Sequence, residues 1–176
     1  MKIAIDARFW GLENTGLGRY TMGLINGLSF NNDHNTYYLL LRQKYYNQFD
    51  TLNLSDKFVP VLAEANHYSI KEQLMLPIVL AKVNPDLYHA LHFNIPVFWY
   101  GKMVVTIHDL ITQYSVGFES TTLPRFKYLL KWYAHNIVLR QAVWKSKLIF
   151  VPSEFTKHNL ISKYRYLDKK IKVIYE

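Results

Sequence analysis

Short apolar runs alternate with stretches of helical pattern along all 176 residues of the chain. Continuous apolar strands separated by helices are typical of a parallel sheet that helices cover on both faces. We therefore predict an α/β fold built on such a sheet. The predicted strands are residues 2–6, 37–41, 58–62, 87–91, 103–107, 147–151 and 171–175. The predicted helices are residues 17–29, 70–83, 124–146 (with Pro124 in its first turn) and 154–163.

The composition excludes several classes of protein. Half of the residues are hydrophobic, and 14 Tyr, 10 Phe and 4 Trp make the chain too apolar for a disordered protein. The densest apolar stretch, residues 74–81, contains Pro77 and is far shorter than the roughly 20 residues of a membrane-spanning helix. Asp6 falls where a signal peptide needs apolar residues, so we expect a cytoplasmic protein. The absence of cysteine excludes disulfides, thiolate zinc sites and thiol nucleophiles.

The chain carries a net charge of +8, which suggests an anionic partner. The positive charge is concentrated between Ser120 and Ser153, where no acidic residue occurs. This segment fits a solvated basic face, a contact with an anionic membrane, or a site for a phosphorylated ligand. Its cations are Arg125, Lys127, Lys131, Arg140, Lys145 and Lys147.

A loop rich in glycine, residues 11–20, connects the first predicted strand to the first predicted helix. Its glycines allow a tight turn and a close approach to a ligand, and the N–H groups at the start of the helix favour a phosphate. A cation in the first helical turn interacts unfavourably with the helix dipole, so helix stability does not explain the presence of Arg19 there. Binding of an anionic ligand does explain it. The alternative is a loop that only needs positive φ angles. The candidate residues are Gly16, Leu17, Gly18 and Arg19.

A histidine and an aspartate directly follow the fifth predicted strand. In an open parallel sheet, ligands bind in the crevice outside the carboxyl ends of the strands. At that position His108 can donate to a ligand hydroxyl or exchange a proton near neutral pH. The alternative is that His108 and Asp109 only form hydrogen bonds with the loop backbone.

A third candidate segment, residues 151–156, follows the sixth predicted strand. Ser153 is a good N-cap and Glu154 suits the first turn of a helix, so capping alone explains both residues. The N–H groups that they organise would face the same crevice.

Two other chemistries are disfavoured. His89 and His92 lie three positions apart, on opposite faces of a strand, and have no third ligand nearby, so we expect no metal site. A serine hydrolase is excluded because the sequence lacks the Gly-x-Ser-x-Gly elbow.

Five segments occur in the order found in one family, and the ordered set is far more specific than any one of them. Together they resemble the N-terminal half of the retaining glycosyltransferases of family 4, also called group 1. The resemblance implies a GT-B fold, in which two Rossmann-like domains face each other across a cleft. The five segments are Met1–Arg8, Gly16–Tyr20, Thr106–Leu110, Val151–Thr156 and Lys172–Tyr175.

The resemblance also implies a role for each candidate residue. The loop Gly16–Arg19 would lie against the diphosphate of a nucleotide-sugar donor, which is a substrate, and no metal or other cofactor is implied. His108 would be the catalytic residue near the transferred sugar, and Asp109 would support its loop. The acceptor side would be lined by Arg8, Phe9 and Trp10, with Ser153 and Glu154 in supporting positions.

The resemblance covers residues 1–176, which we expect to be a single acceptor-side domain without the family's C-terminal donor-binding domain. We therefore expect this chain to be inactive alone and to expose a face on which it can self-associate. The expected acceptor is a glycan or a lipid-linked acceptor, and the expected location is the cytoplasm with peripheral contact at the inner membrane face. The alternative is a non-catalytic Rossmann-like module that binds a phosphorylated ligand or a protein.

Nucleic-acid binding is the weaker interpretation of the basic segment. Trp132, Tyr133 and Trp144 fit a core-facing amphipathic helix better than a platform on which bases stack. We therefore expect no nucleic-acid partner.

Overall fold

The computed structural model describes residues 1–110 and 125–175. These residues form a seven-stranded sheet with five α-helices. The strands are β1 (Lys2–Asp6), β2 (Thr36–Leu41), β3 (Phe58–Leu62), β4 (Leu87–Ala90), β5 (Met103–Thr106), β6 (Ile149–Val151) and β7 (Ile171–Val173). The helices are α1 (Thr15–Ser29), α2 (Gln43–Asn47), α3 (Ile70–Val83), α4 (Arg125–Lys145) and α5 (Glu154–Lys163).

All neighbouring strands of the sheet are parallel, in the order β3-β2-β1-β4-β5-β6-β7. Ala4 of β1, for example, is paired with Tyr38 on one side and Tyr88 on the other. This order is that of a Rossmann-like sheet. The strand numbers descend from β3 to β1 and then ascend from β4, so the topological switch point lies between β1 and β4. The predicted fold class is therefore confirmed.

Helices cover both faces of the sheet. Because successive strand residues point to opposite faces, Leu40 joins the core under α3, α4 and α5, whereas Leu39 joins the core under α1. The first core includes Leu139 of α4, and the second includes Ile25 of α1; both side chains are fully buried.

The α1 side of the sheet also has an open part. Beyond α1, apolar side chains of the strands line a groove of about 860 Å³. The groove extends from Leu24 of α1 across Leu87 and Val104 to Phe150.

Several boundaries differ from the prediction. Helix α1 begins at Thr15 and not at residue 17, so Gly16 and Gly18 lie inside the helix. The short helix α2 was not predicted, because Gln43–Asn47 contains no apolar period to mark it. Pro124, predicted in the first turn of α4, lies outside the described residues.

The prediction that the aromatic residues of α4 face the core is wrong for two of them. Tyr133 is 59% exposed and Trp144 is 64% exposed. The side of α4 that faces the sheet is instead formed by Leu139, Ala142 and Val143, which are fully buried. Small and branched residues allow the helix to approach the sheet closely, and the rings of Tyr133 and Trp144 point outward.

Candidate functional site

The candidate residues come together at the carboxyl edge of the sheet. Since all strands are parallel, the segments after β1, β4, β5 and β6 leave the sheet at this edge, and α1 begins there. The edge thus contains Arg8, His92, His108 and Ser153, each just after a strand.

His108 is half-buried and is held by a backbone contact. Its Nε2 donates to the carbonyl oxygen of Leu91, in the segment after β4, across 3.0 Å. A carbonyl only accepts, so Nε2 carries a proton. The contact is of the kind expected from a structural histidine, and it also fixes the ring at the edge of the sheet.

The segment after β5 is joined to the start of α5. The hydroxyl of Thr156 donates to the carbonyl of His108 across 3.3 Å. Ser153 accepts from the N–H of Thr156 at 3.2 Å, so its predicted role as an N-cap is confirmed. Glu154 and Asp109 are exposed. Thr156 is therefore the residue that connects Ser153 to His108, and sequence reasoning had not assigned it a role.

The N-terminus of α1 lacks the usual compensating groups. Its N-cap residue, Asn14, makes no side-chain cap hydrogen bond, and its first turn contains no acidic residue. Arg19 is exposed, and no hydrogen-bond or ion-pair partner for it occurs in the described residues. A helix N-terminus of this kind favours an anion.

The two glycines of α1 have different environments. A Cβ atom on Gly18 would lie 1.9 Å from the carbonyl oxygen of Gly11, so Gly18 is required for packing. A Cβ atom on Gly16 would contact nothing within 4 Å. Neither has a positive φ angle, whereas Gly11 has a φ of 112°. The alternative of positive φ angles therefore does not apply to Gly16 and Gly18, but it does apply to Gly11 of the same loop.

Tyr20 connects α1 to the ends of β4 and β5. Its ring contacts the ring of His108 edge-on, with 4.7 Å between the ring centroids. Its hydroxyl lies 3.0 Å from Thr106 Oγ1, which is also 3.0 Å from His89 Nε2. The second turn of α1 and His108 are therefore in contact.

Arg8 lies in a buried cluster of charges and not on an open surface. Its Nε and Nη2 donate to the two carboxylate oxygens of Asp6, each at 2.7 Å. Nη2 also donates to Glu72 Oε1 at 2.7 Å. The side chain is 1% exposed, and Nη1 is buried without a hydrogen-bond partner. This corrects the expectation that Arg8 lines the acceptor side, because its guanidinium is occupied by the two carboxylates.

Glu72 gathers several loops around its carboxylate. Its Oε2 accepts from the backbone N–H of Tyr68 and from the side-chain amide of Asn94, each at 2.7 Å. Burial raises the pKa of Glu72, but the nearby His67 imidazole, whose Nδ1 lies 3.6 Å from Oε1, and the charge and hydrogen bond of Arg8 outweigh burial, so its pKa lies below the usual value. Burial likewise opposes ionisation of Asp6, and the charge of Arg8 lowers the pKa below its usual value. Both carboxylates are therefore ionised at neutral pH.

Phe9 and Trp10, also predicted on the acceptor side, have different positions. Trp10 is 7% exposed and belongs to the core under α1, which corrects its predicted role. Phe9 is half-buried and stacks on the His67 ring at a centroid distance of 3.8 Å. Of the three residues predicted on the acceptor side, only Phe9 offers side-chain surface at the edge.

His92 stands between Phe9 and Tyr68. Its ring centroid is 5.7 Å from that of Phe9, and its Nε2 is 3.4 Å from the Tyr68 hydroxyl. Burial, with smaller contributions from His108 and His67, lowers the pKa of His92 to about 3. Burial also raises the pKa of Tyr68 to about 12. These aromatic groups are therefore neutral at physiological pH.

Comparison with known families identifies the domain. The model of the family described as Glycosyltransferase Family 4 matches residues 15–176. The chain belongs to glycosyltransferase family 4. The match includes the start of α1, His108 and Ser153, and the resemblance to family 4 glycosyltransferases proposed from the sequence is confirmed, without its retaining stereochemistry.

Solved structures resemble the family 4 domain in fold. A glycosyltransferase from Rickettsia africae ESF-5 aligns with 99% of the chain and 42% of its own length, at 16% identity and a TM-score of 0.49. A UDP-GlcNAc 2-epimerase from Methanocaldococcus jannaschii aligns with 99% of the chain and 45% of its own, at 16% identity and a TM-score of 0.51. The chain thus spans less than half of either protein. The second similarity shows the fold alone, and no curated protein matches the chain.

Two features of the described part of the family 4 domain concern other classes of site. Residues 1–110 and 125–175 contain no group of three or more histidine or acidic side chains placed to hold a metal ion. His89 faces the groove beside α1, and His92 lies in the loop after β4. In the same ranges, no helix is both long and apolar enough to span a membrane.

Proposed function

We propose that this domain is the acceptor-binding half of a glycosyltransferase that moves a sugar from a nucleotide-sugar donor to an acceptor hydroxyl with retention. The observation that carries the proposal is the contact between Tyr20 and His108, 4.7 Å between ring centroids. It joins the second turn of α1, the helix with the uncapped N-terminus, to an imidazole at the carboxyl edge. Family membership supports the class of reaction, and this contact is our reason for proposing the site at this edge of the sheet.

The proposed role of α1 is to neutralise the leaving diphosphate. In the transfer, the acceptor oxygen bonds to the anomeric carbon while the bond from that carbon to the diphosphate oxygen breaks. The electron pair leaves with the diphosphate, and an oxygen of the departing diphosphate accepts the proton of the acceptor hydroxyl. The N–H groups at Gly16–Gly18 and the cation of Arg19 stabilise the developing negative charge. No metal or other cofactor is part of this proposal.

The proposed role of His108 is to bind the transferred sugar. The hydrogen bond from Nε2 to the Leu91 carbonyl fixes the ring, so that little reorganisation is needed when the substrate binds. Thr156 supports the same loop through its hydrogen bond to the His108 carbonyl, and we assign Asp109 a supporting role beside it. The acceptor lies on the β1–β4 side of the edge, next to Phe9.

The acceptor class, the location and the partners are extensions of this proposal. The acceptor is a glycan or a lipid-linked glycan used in the synthesis of cell-surface polysaccharide, glycolipid or a related glycan. The protein works in the cytoplasm, at the inner membrane face. A C-terminal domain supplies most of the donor site, and residues 1–176 alone are inactive and able to self-associate.

The test has two parts. Calorimetry measures binding of a panel of nucleotide sugars to residues 1–176, and a transfer assay measures sugar donation by the full gene product. We expect weak binding at best by residues 1–176, and transfer that is lost in Arg19→Ala. A micromolar dissociation constant for residues 1–176 would contradict the proposal that a C-terminal domain supplies most of the donor site. Binding of phosphorylated ligands without any transfer by the full gene product would favour the non-catalytic module.

A further inference from the structure

A polar pocket of about 350 Å³ opens at the carboxyl ends of β1, β2 and β3. We call it the β2 pocket, because most of its residues directly follow β2. Pockets that hold small molecules range from about 300 to 1,000 Å³, so this volume suits one small ligand. Its polar lining includes Glu13, Asn14, Arg42, Lys44, Tyr45 and Glu64.

One wall of the β2 pocket is built around Glu13, in the segment before α1. Its Oε1 accepts from Lys44 Nζ and from the Tyr45 hydroxyl, each at 2.8 Å. The hydrogen bond from Lys44 is the main cause that lowers the pKa of Glu13 to about 2, so this carboxylate is ionised at neutral pH. A Cβ atom on Gly11 would lie 2.0 Å from the Tyr45 hydroxyl, which shows how closely this wall is packed.

The opposite wall belongs to the segment after β3. Glu64 Oε2 accepts from the backbone N–H of Gln43 at 2.7 Å. Arg42 Nη2 donates to Asn66 Oδ1 at 3.1 Å. Both walls are therefore joined to the same segment after β2, and the cavity between them is formed without a ligand.

Several polar groups of the β2 pocket have hydrogen-bonding capacity that the described residues do not use. Arg42 Nε is buried and has no hydrogen-bond partner within residues 1–110 and 125–175. Asn14 donates through Nδ2 to the Trp10 carbonyl at 3.1 Å, and its side chain does not cap α1. A polar group that is buried without a partner is unfavourable. A ligand with both donors and acceptors would supply the missing partners.

The charges of the β2 pocket decide which class of ligand fits. Arg42 and Lys44 are cations, and Glu13 and Glu64 are carboxylates. A phosphate would approach the carboxylates and an amine would approach the cations, and such like-charge contacts are costly. An apolar ligand would remove water from all four groups without replacing its hydrogen bonds. A hydroxyl both donates and accepts, so a neutral ligand with several hydroxyls matches both signs of charge.

We propose that the β2 pocket binds one neutral sugar residue. Hydroxyls of the sugar accept from Arg42 and Lys44. They donate to the second carboxylate oxygen of Glu64 and to the side-chain oxygen of Asn14. The pocket is separate from His108 and takes no part in bond breaking.

The β2 pocket is connected to the place proposed for the acceptor. Asn66, which accepts from Arg42, is followed by His67, and the His67 ring stacks on Phe9 at a centroid distance of 3.8 Å. The acceptor is proposed to lie next to Phe9. If that proposed function holds, on which this step rests, the β2 pocket takes a sugar of the acceptor other than the one that is glycosylated. The acceptor class is then a neutral glycan and not a single sugar or a bare lipid.

The test titrates ¹⁵N-labelled residues 1–176 with methyl glycosides and records amide correlation spectra. The neutral probes are the methyl glycosides of glucose, galactose, mannose and N-acetylglucosamine. The charged probes are those of glucuronic acid and glucosamine, in slightly acidic buffer so that the amino sugar is charged. We expect at least one neutral probe to shift the N–H signals of Gln43 and Tyr45 saturably, with a millimolar dissociation constant. We expect both charged probes to bind about fivefold more weakly or less well still.

Two results of this titration would overturn the proposal. One is the absence of a saturable shift at the β2 pocket with every neutral probe. The other is binding of a charged probe as tightly as the best neutral one, because the balance of charges would then not select the ligand.

Variants separate the β2 pocket from other surfaces. Arg42→Gln should weaken binding of the best neutral probe about tenfold, because the guanidinium donors are lost. The matched control is Arg140→Gln, at an exposed arginine on α4, which should bind as the unmodified chain does. Equal binding by the two variants would overturn the proposal.

A second variant keeps the test informative if Arg42→Gln fails to fold. The Lys44 side chain is 59% exposed, and exposed ion pairs contribute little to stability, so Lys44→Gln should fold. It leaves two carboxylates against one cation, so the amino sugar should gain about threefold relative to the neutral probe. Lys82→Gln, at an exposed position on α3, should leave this ratio unchanged. An unchanged ratio in Lys44→Gln would contradict binding at this pocket.

The outcome does not depend on glycosyl transfer, because no nucleotide sugar is present. Saturable binding at the β2 pocket without any transfer by the full gene product would retain the sugar site and reject the proposed transferase function. Transfer by the full gene product without binding of any neutral probe would retain that function and reject the sugar site.

Discussion

Arg8 Nη2 donates to Glu72 Oε1 across 2.7 Å, although the two residues are 64 positions apart in sequence. The segment after β1 is thereby joined to the first turn of α3. Both side chains are at most 1% exposed. Asp6 and Glu72 together carry two negative charges against the single positive charge of Arg8. Neutral groups, including the Tyr88 hydroxyl, donate further hydrogen bonds to the carboxylates. The cluster is therefore a structural support beneath the candidate site.

Replacing Glu72 by Gln should lower the free energy of unfolding by about 3 kcal/mol, because removing one member of a buried ion pair leaves the other charge uncompensated. The new amide group would also place a donor opposite the N–H of Tyr68 or the amide of Asn94, which both donate to Glu72. Urea denaturation monitored by tryptophan fluorescence measures the change.

The control is Glu13→Gln, at the exposed ion pair between Glu13 and Lys44. Exposed pairs contribute little to stability, so this variant should unfold at the same urea concentration as the unmodified chain. Equal losses in the two variants would show that burial of the Arg8–Glu72 pair does not matter.

The stability of the domain should decrease as the pH falls from neutral toward 4. Burial lowers the pKa of His92 to about 3 and that of His89 to about 4, from an ordinary value of 6.5. The unfolded chain therefore binds more protons below pH 6.5, which favours unfolding. Each histidine contributes up to about 1.4 kcal/mol per pH unit in this window. At still lower pH, protonation of Asp6 and Glu72, whose pKa values are lowered, adds to the loss.

Urea denaturation at about pH 8 and at about pH 5 tests this linkage. His92→Gln should reduce the difference between the two pH values, whereas His158→Gln, at an exposed position on α5, should leave it unchanged. A stability that is independent of pH over this range would contradict the buried neutral state of His92 and His89.

The two glycines of α1 should respond in opposite ways to alanine. Gly18→Ala should destabilise the domain by about 1–3 kcal/mol, because the new methyl group meets the Gly11 carbonyl, which is backbone and cannot rotate away. Gly16→Ala meets nothing and should leave stability unchanged or raise it by up to about 1 kcal/mol. Thermal denaturation compares the two.

Gly16→Ala also tests the proposed donor contact. If a diphosphate approaches the backbone at Gly16, the methyl group should weaken donor binding by the full gene product without loss of stability. Unchanged donor binding would remove Gly16 from the site.

The sequence was sufficient to predict the fold for a physical reason. A strand buried on both faces must be continuously apolar, so each strand of the parallel sheet is visible on its own, as at residues 103–107. The outward direction of Tyr133 and Trp144 was not predictable in the same way. Which side of α4 faces the sheet depends on the shape of the opposing surface, and both sides of this helix are apolar.

The candidate site was predicted in part. Positions next to strand ends, such as His108 and Ser153, follow from topology, since parallel strands deliver them to one edge. The burial of Arg8 did not follow, because its partner Glu72 is distant in sequence. The pattern Ser69-x-x-Glu72 indicates an ordinary capping box, and Ser69 does accept from the N–H of Glu72 at 3.1 Å. The Glu72 carboxylate instead accepts from Arg8, and nothing in the Ser69-x-x-Glu72 pattern indicates that contact.

His108→Ala should lower kcat of the full gene product by about 10²-fold or more, while its stability falls by only about 1 kcal/mol. The first effect is the loss of a contact made in the transition state. The second is the loss of the hydrogen bond from Nε2 to the Leu91 carbonyl. The measurement is kcat and the thermal midpoint on the same variant.

His108→Gln separates the catalytic role from the structural one. The glutamine amide can reach the Leu91 carbonyl as Nε2 does, so it should restore the stability that His108→Ala loses. An amide does not reproduce the ring that contacts Tyr20, and it does not exchange a proton near neutral pH, so kcat should stay low. If His108→Gln restores kcat together with stability, the histidine only holds the loop after β5, and the site must be assigned to other residues of the edge.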